Sequence, residues 1–119
     1  MKAEDKIQQE IYMWFNNTYC GKDAEKRCYI FSVPNGGTRN TREAMRLVST
    51  GMRAGVSDLI ILLPNRCIFV EVKTATGVQS KKQKEFAKIV KALGFEYLLV
   101  RSLADAKAHL NLYLKELNV

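Results

Sequence analysis

Three charged residues near the middle of the chain have types and spacing that suit the binding of a divalent cation. Glu71 and Lys73 interrupt an otherwise apolar segment, and Asp58 begins the apolar segment before it. Burying such charges is costly unless they are paired or functional. Two carboxylates offer the oxygen ligands that Mg²⁺ prefers, and a nearby lysine can orient a water or neutralise charge on a phosphate. From these residues alone, a structural ion pair of Lys73 with either acid remains the alternative.

Two short apolar segments predict a β-hairpin that would bring these charges together; they span residues 58–64 and 67–73. Only Asn65-Arg66 separates them, which favours antiparallel pairing. Side chains alternate between faces along a strand, so Glu71 and Lys73 share one face. A two-residue turn at Asn65-Arg66 predicts that Asp58 lies opposite Lys73 and diagonal to Glu71. A register slip of two residues would keep the three groups together, whereas a slip of one would separate them.

The remaining elements follow from hydrophobic periodicity and from turn residues. In chain order we expect a helix over residues 3–17, a strand over 28–33, a helix over 41–50, the hairpin, a helix from Ser80 that ends at Gly94, a strand over 96–101 and a final helix. The buried face predicted for the helix after Ser80 consists of Phe86, Ile89, Val90 and Leu93. The apolar stripe of the last helix consists of Leu103, Ala106, Leu110, Tyr113, Leu114 and Leu117. The order αβαββαβα predicts one α/β domain over residues 1–119, with a mixed β-sheet flanked by helices.

Charge and hydropathy restrict the class of partner. The chain of 119 residues has a formal net charge of +7, and residues 21–55 hold seven basic against three acidic side chains. An excess of this kind favours an anionic partner, most commonly nucleic acid. No apolar run reaches the roughly 20 residues that span a bilayer. The charged N-terminal segment lacks a signal-peptide pattern, so we expect a cytoplasmic location and no membrane partner.

Five motifs in a fixed order resemble the VRR-NUC branch of the PD-(D/E)xK nuclease superfamily. They are Glu4-x-x-Ile7-Gln8, Pro34-Asn35-Gly36-Gly37 followed by Arg39, Gly55-Val56-Ser57-Asp58-Leu59, Glu71-Val72-Lys73, and Ser80-Lys81-Lys82-Gln83. The resemblance runs from about residue 4 to residue 102. The family usually has proline at the position of Ser57, a departure that removes no ligand. The resemblance implies a restriction-endonuclease-like core.

The resemblance also implies roles for individual residues. Asp58 and Glu71 would bind Mg²⁺ together with the backbone carbonyl of Val72 and an acid from the first helix, and Mn²⁺ would substitute. Lys73 would act on the water or on the scissile phosphate. Gln83 would lie beside the site. No organic cofactor is expected.

Two of these assignments have structural alternatives. Ser80 and Gln83 form the pattern of a capping box, which would begin the helix regardless of any catalytic role, although both functions can coexist. For the N-terminal acid, Glu4 lies about 35° and Glu10 about 85° from the centre of the apolar face of the first helix. Glu4 therefore points closer to the core and is our choice. The alternative is a solvated acid that the helix dipole favours in the first turn.

The resemblance implies a DNA endonuclease. The residues expected to hold the DNA backbone are Asn35, Gly36, Gly37, Arg39, Arg42, Arg46 and Arg53, with a solvated basic face as the alternative. Stand-alone members of the family, often carried by phages, resemble junction resolvases. We therefore expect a homodimer acting on branched DNA such as a four-way (Holliday) junction, in the host cytoplasm if phage-encoded. The apolar first and last helices are candidate dimer surfaces unless the core uses them. A nuclease for RNA or linear duplex DNA, and a catalytically inactive nucleic-acid-binding module, remain alternatives.

Overall fold

The computed structural model describes residues 1–21, 28–34 and 40–115. The elements are α1 (Ala3–Phe15), a π-helical turn (Asn16–Cys20), β1 (Tyr29–Ser32), α2 (Thr41–Ser49), β2 (Leu59–Leu63), β3 (Arg66–Val72), α3 (Lys81–Ala92), β4 (Glu96–Val100) and α4 (Leu103–Leu114). The predicted order of helices and strands is confirmed. Leu117 lies outside the described residues. Within the described ranges, no helix is long and apolar enough to cross a membrane.

The four strands form one mixed sheet in the order β1-β2-β3-β4. The first three strands pair antiparallel, and β4 pairs parallel with β3. One face packs on α1 and α4 to form the hydrophobic core, in which Ile11, Phe15, Val70 and Leu110 are almost fully buried. The core therefore uses the buried faces of α1 and α4, while Tyr12, Met13 and Leu112 of these helices stay exposed. A dimer surface on either helix stays a prediction.

The opposite face of the sheet packs against α3. The rings of Phe69 on β3 and Phe86 on α3 meet edge to face, with centroids 5.6 Å apart. Glu71 and Lys73 follow Phe69 at the strand period of two, so they lie on this second face. The structure confirms that the two charged residues share a face that the main core does not occupy.

The predicted hairpin register was wrong by two residues. Leu63 pairs with Arg66, so the turn consists of Pro64 and Asn65 rather than Asn65 and Arg66. Asn65 has a φ of 57°, a conformation that asparagine tolerates, and the fixed φ of proline suits the first turn position. Extending this register places Asp58 opposite Glu71 rather than Lys73. Because the slip is two residues, the three charged side chains still share one face.

The predicted buried face of α3 was wrong at two positions. Val90 is buried and Phe86 half-buried, but Ile89 is 56% exposed and Leu93 68% exposed, whereas Ala87 is buried. The face toward the sheet is centred on positions 83, 87 and 90, which turns the flank that carries Ile89 and Leu93 outward. This orientation brings the first turn of α3 to the charged residues of β3.

Candidate active site

Asp58 is fixed by hydrogen bonds from the backbone of the two neighbouring strands, β1 and β3. Its carbonyl oxygen accepts a hydrogen bond of 3.0 Å from the N–H of Val33, just beyond β1. Its carboxylate Oδ2 accepts one of 2.7 Å from the N–H of Val72, at the end of β3. The preceding Ser57 is buried, and its hydroxyl donates to the carbonyl oxygen of Leu59 at 3.3 Å. The serine hydroxyl therefore contributes a contact that a proline at this position could not make.

Glu71 is the buried acid of the site, with only 1% of its surface exposed. Its Oε2 accepts a hydrogen bond of 3.2 Å from Nε2 of Gln83. The other oxygen, Oε1, is buried and has no hydrogen-bond partner among the described residues. Burial, then the charge of Asp58 and a hydrogen bond that the protonated Glu71 would donate to that carboxylate, raise the pKa of Glu71 to about 8.

The ion pair between Glu71 and Lys73 does not explain why these charges are buried. Nζ of Lys73 lies 3.9 Å from Oε2 of Glu71, close to the outer limit for an ion pair. The lysine lowers the pKa of Glu71, but burial and the nearby Asp58 carboxylate outweigh it. A pair built for stability would hold the acid in its charged form. This arrangement disfavours the structural alternative that the sequence left open.

Gln83 caps α3 and also contacts the buried acid. Its backbone N–H donates to Oγ of Ser80 at 3.1 Å, and its Oε1 accepts from the backbone N–H of Ser80 at 2.8 Å. The two bonds complete the predicted capping box. Its Nε2 remains available for the bond to Glu71. One side chain therefore begins α3 and holds the buried acid.

The structure separates the two candidate N-terminal acids. Glu4 is half-buried on α1 and lies near enough to Glu71 for its negative charge to raise the pKa of that residue. Glu10 is exposed. The structure thus brings Glu4, not Glu10, toward the site, as an electrostatic neighbour. Metal binding by Glu4 stays a prediction.

The acidic pair has the properties of a site for a divalent cation. Nowhere in the described ranges do three or more His, Cys, Asp or Glu side chains form a group suited to a metal ion, so the acidic centre consists of Asp58 and Glu71. Oε1 of Glu71 has no hydrogen-bond partner among the described residues, and the charge of Asp58 opposes the ionisation of Glu71; a bound cation would relieve both features. Hard oxygen donors suit Mg²⁺, which keeps several waters when it binds. The residues present therefore fit the predicted metal, with the Val72 carbonyl as the predicted third protein ligand.

Gly55, the first residue of the predicted Gly55-to-Leu59 motif, packs so closely on α3 that a Cβ atom there would lie 2.5 Å from the backbone of Lys82. Two other neighbours of the site, Tyr97 and Arg101, were not identified from the sequence. Tyr97 on β4 accepts a hydrogen bond of 2.9 Å from Gln79, and Arg101, just after β4, donates to the segment that follows Lys73. The sequence signal for these two residues was their spacing of four, which places them on one face of an extended chain.

The predicted DNA-binding residues are only partly described. Asn35, Gly36, Gly37 and Arg39 lie outside the described residues. Arg42 and Arg46 are exposed and lie one turn apart on α2. None of the side chains of α2, all of which are described, is buried. Arg53 is exposed in the loop between α2 and β2. DNA binding by these residues stays a prediction.

The fold and the arrangement of acids define the class of protein. A mixed four-stranded sheet between helices, with Asp58 before β2 and the Glu71-x-Lys73 motif at the end of β3, forms a restriction-endonuclease-like α/β fold. The family model for the VRR-NUC domain matches residues 3–104. A solved structure described as a VRR_NUC domain protein is similar, with a TM-score of 0.76 and 21% identity over 97% of this chain and 90% of that chain. No curated protein matches the sequence. The chain belongs to the VRR-NUC family of nucleases.

Proposed function

We propose that this protein is a Mg²⁺-dependent DNA endonuclease that hydrolyses phosphodiester bonds with Asp58, Glu71 and Lys73. The observation that supports this proposal best is the state of Glu71. It is a buried carboxyl group, one of whose oxygens has no hydrogen-bond partner among the described residues, and burial, then the charge of Asp58, raise its pKa. Perturbed acids of this kind are concentrated at functional sites.

The side chains of the site would divide the work of phosphodiester hydrolysis. A bound divalent cation would polarise the phosphate and supply a nucleophilic water at neutral pH. Asp58 and Glu71 would hold that cation, and the bonds from Val72 and Gln83 keep the two carboxyl groups in place. Lys73 is largely buried, so its ammonium group would neutralise charge on the phosphate or orient the attacking water.

The nucleic-acid substrate and the assembly are finer parts of the proposal. A net charge of +7 and the exposed Arg42 and Arg46 support contact with a phosphate backbone. Contacts with phosphates do not depend on the base sequence, so we propose that the protein selects DNA by its structure, with branched DNA and four-way junctions as substrates. A homodimer would bring two sites to one junction. The exposed apolar side chains Met45 and Val48 of α2 offer a surface for a second copy.

A cleavage panel tests the proposal. Branched, flapped, single-stranded and linear duplex DNA, together with RNA, would be incubated with Mg²⁺ and then with Mn²⁺. We expect cleavage of branched DNA by wild type and a loss of about 100-fold or more in Lys73→Ala and Asp58→Asn. Lys115→Ala, which removes an exposed charge at the end of α4, is the matched control and should retain activity. Light scattering would measure the oligomeric state.

Each other outcome has a defined meaning. Undiminished cleavage by Lys73→Ala and Asp58→Asn would refute the proposed mechanism. Binding of DNA without cleavage in either cation would identify a catalytically inactive module. Preferential cleavage of RNA or of linear duplex DNA would retain the chemistry and replace the substrate.

A further inference from the structure

The guanidinium group of Arg101 is bound to the backbone segment that directly follows Lys73. Nη1 of Arg101 donates to the carbonyl oxygens of Thr74 and Gly77, each at 2.7 Å, and more weakly to that of Ala75 at 3.4 Å. Three carbonyl oxygens therefore converge on one charged donor. Hydrogen bonds from an ionised donor are about twice as strong as neutral ones.

A second contact ties the same segment to β4. Nε2 of Gln79 donates to the hydroxyl oxygen of Tyr97 at 2.9 Å. Tyr97 pairs with Phe69 in the parallel register, and the same register aligns Arg101 with Lys73 just beyond the strand ends. Tyr97 on β4 and Arg101 just after it thus lie on the face of the sheet that holds the acidic pair. The segment between β3 and α3 is fixed to that face at two points.

The segment held by Arg101 packs against the side chain of Lys73. The N–H of Gly77 donates to Oγ1 of Thr74 at 3.1 Å, which closes a tight turn. The position that a Cβ atom would take at Gly77 is only 3.5 Å from Cδ of Lys73, so the turn packs against the stem of the lysine. Beyond the turn, the chain reaches Ser80 and the first turn of α3, where Gln83 holds Glu71.

We propose that Arg101 is a positioning residue of the nuclease reaction, which keeps the turn over residues 74–77 in place and thereby orients Lys73 and Gln83 toward Glu71. This inference rests on the proposed nuclease function. Arg101 touches neither carboxylate, and it acts through the backbone carbonyls of the turn. A displacement of a catalytic group by about 1 Å can lower a rate by about 100-fold, so the turn need not unfold for activity to fall.

The kinetic test compares wild type with Arg101→Ala on one cleaved DNA substrate. We expect kcat of Arg101→Ala to fall by about 10- to 100-fold with little change in KM. Guanidinium ion at millimolar concentration should occupy the vacated site and restore much of kcat, whereas ammonium at equal ionic strength should not. Lys73→Ala is the matched control for the rescue, and guanidinium should not restore it.

The alternative is that Arg101 contacts a DNA phosphate directly. Binding measured in EDTA at several salt concentrations separates the two roles. The positioning role predicts an unchanged Kd and an unchanged salt dependence for Arg101→Ala. A direct contact predicts weaker binding and a log–log salt slope reduced by about one, and that result would overturn the proposal.

Hydrogen exchange supplies a readout that does not depend on cleavage. In Arg101→Ala the amides of residues 75–79 should exchange faster, while those of β3 should keep their protection. Unchanged exchange in this segment, or an unchanged kcat, contradicts the positioning role. If kcat falls only in proportion to the fraction of folded protein and guanidinium does not restore it, Arg101 has a purely structural role and the proposal is wrong. If wild type cleaves no substrate, the proposed function fails, and exchange alone still decides whether Arg101 holds the turn.

Discussion

Replacing Glu71 with glutamine should make the protein progressively more stable than wild type as the pH rises toward 8 in EDTA. Burial and the charge of Asp58 raise the pKa of Glu71 from its ordinary 4.5 to about 8. Between these values the folded protein keeps a proton that the unfolded chain has released. Raising the pH through this window therefore favours unfolding. Below pH 4.5 both states hold the proton, and above about pH 8 both have released it, so the dependence is confined to the interval.

The size of the effect follows from the difference between the pKa of Glu71 in the folded protein and in the unfolded chain. A tenfold difference in acidity corresponds to about 1.4 kcal/mol, so the change from 4.5 to about 8 limits the total loss to about 5 kcal/mol. Between pH 5 and pH 7 the free energy of unfolding of wild type should fall by about 2–3 kcal/mol relative to Glu71→Gln. Small domains have a total stability of about 5–15 kcal/mol, so this difference is measurable. The glutamine keeps the shape of the side chain but does not titrate.

Urea denaturation at pH 5, 6, 7 and 8 in EDTA measures the difference, with Trp14 as a fluorescent probe. Glu10→Gln, which changes an exposed carboxyl group of α1, is the matched control and should follow wild type. Mg²⁺ added at pH 8 should stabilise wild type but not Glu71→Gln, because the cation binds the ionised carboxylate of the folded state. Parallel pH dependences of wild type and Glu71→Gln would refute the claim that this carboxyl group is buried at a thermodynamic cost.

Two further substitutions test the supports of the site by urea denaturation. Gly55→Ala should destabilise the protein by about 2–4 kcal/mol, because φ at Gly55 is +89° and the new Cβ would lie 2.5 Å from the backbone of Lys82. Gly51→Ala is the matched control. Gly51 has a φ of +117° with nothing within 4 Å of the new Cβ, so this change should cost only about 1–2 kcal/mol of backbone strain. Tyr97→Phe should lower the free energy of unfolding by about 1 kcal/mol, because it removes the hydrogen bond from Gln79. Burial, then the negative charge of Glu71, raise the pKa of Tyr97 to about 12. Ultraviolet titration of wild type should therefore show this tyrosine un-ionised at pH 11.

Local pattern was sufficient to predict the order of elements and the face on which the charged residues lie. The period of two along β3 placed Glu71 and Lys73 together, and this did not depend on the partner strand. The hairpin register was wrong because Pro64, rather than Arg66, shares the turn with Asn65. This error did not change the prediction that the three charged residues share one face, since a slip of two residues preserves the face of every side chain.

Long-range pairing was not predictable from local pattern. The sequence indicates a strand near residue 97 but not that this strand lies parallel to β3, so the contacts of Tyr97 and Arg101 with the segment after Lys73 were missed. The exposure of Ile89 depends on which helical flank meets the sheet, and an apolar helix with several hydrophobic positions leaves that choice open. Both errors concern how elements meet rather than whether they form.

The energetics of the acidic pair distinguish a functional site from a structural one more sharply than the list of residues does. A salt bridge retained for stability would place its cation against the acid and keep like charges away. Here Lys73 stays 3.9 Å from Glu71, while burial and then the charge of Asp58 oppose the ionisation of Glu71 and raise its pKa. Folding therefore holds two acids together against their preference and leaves one buried oxygen without a partner among the described residues. A divalent cation would offset both costs at once, and the proposed metal-binding function therefore predicts an arrangement that selection for stability alone would remove.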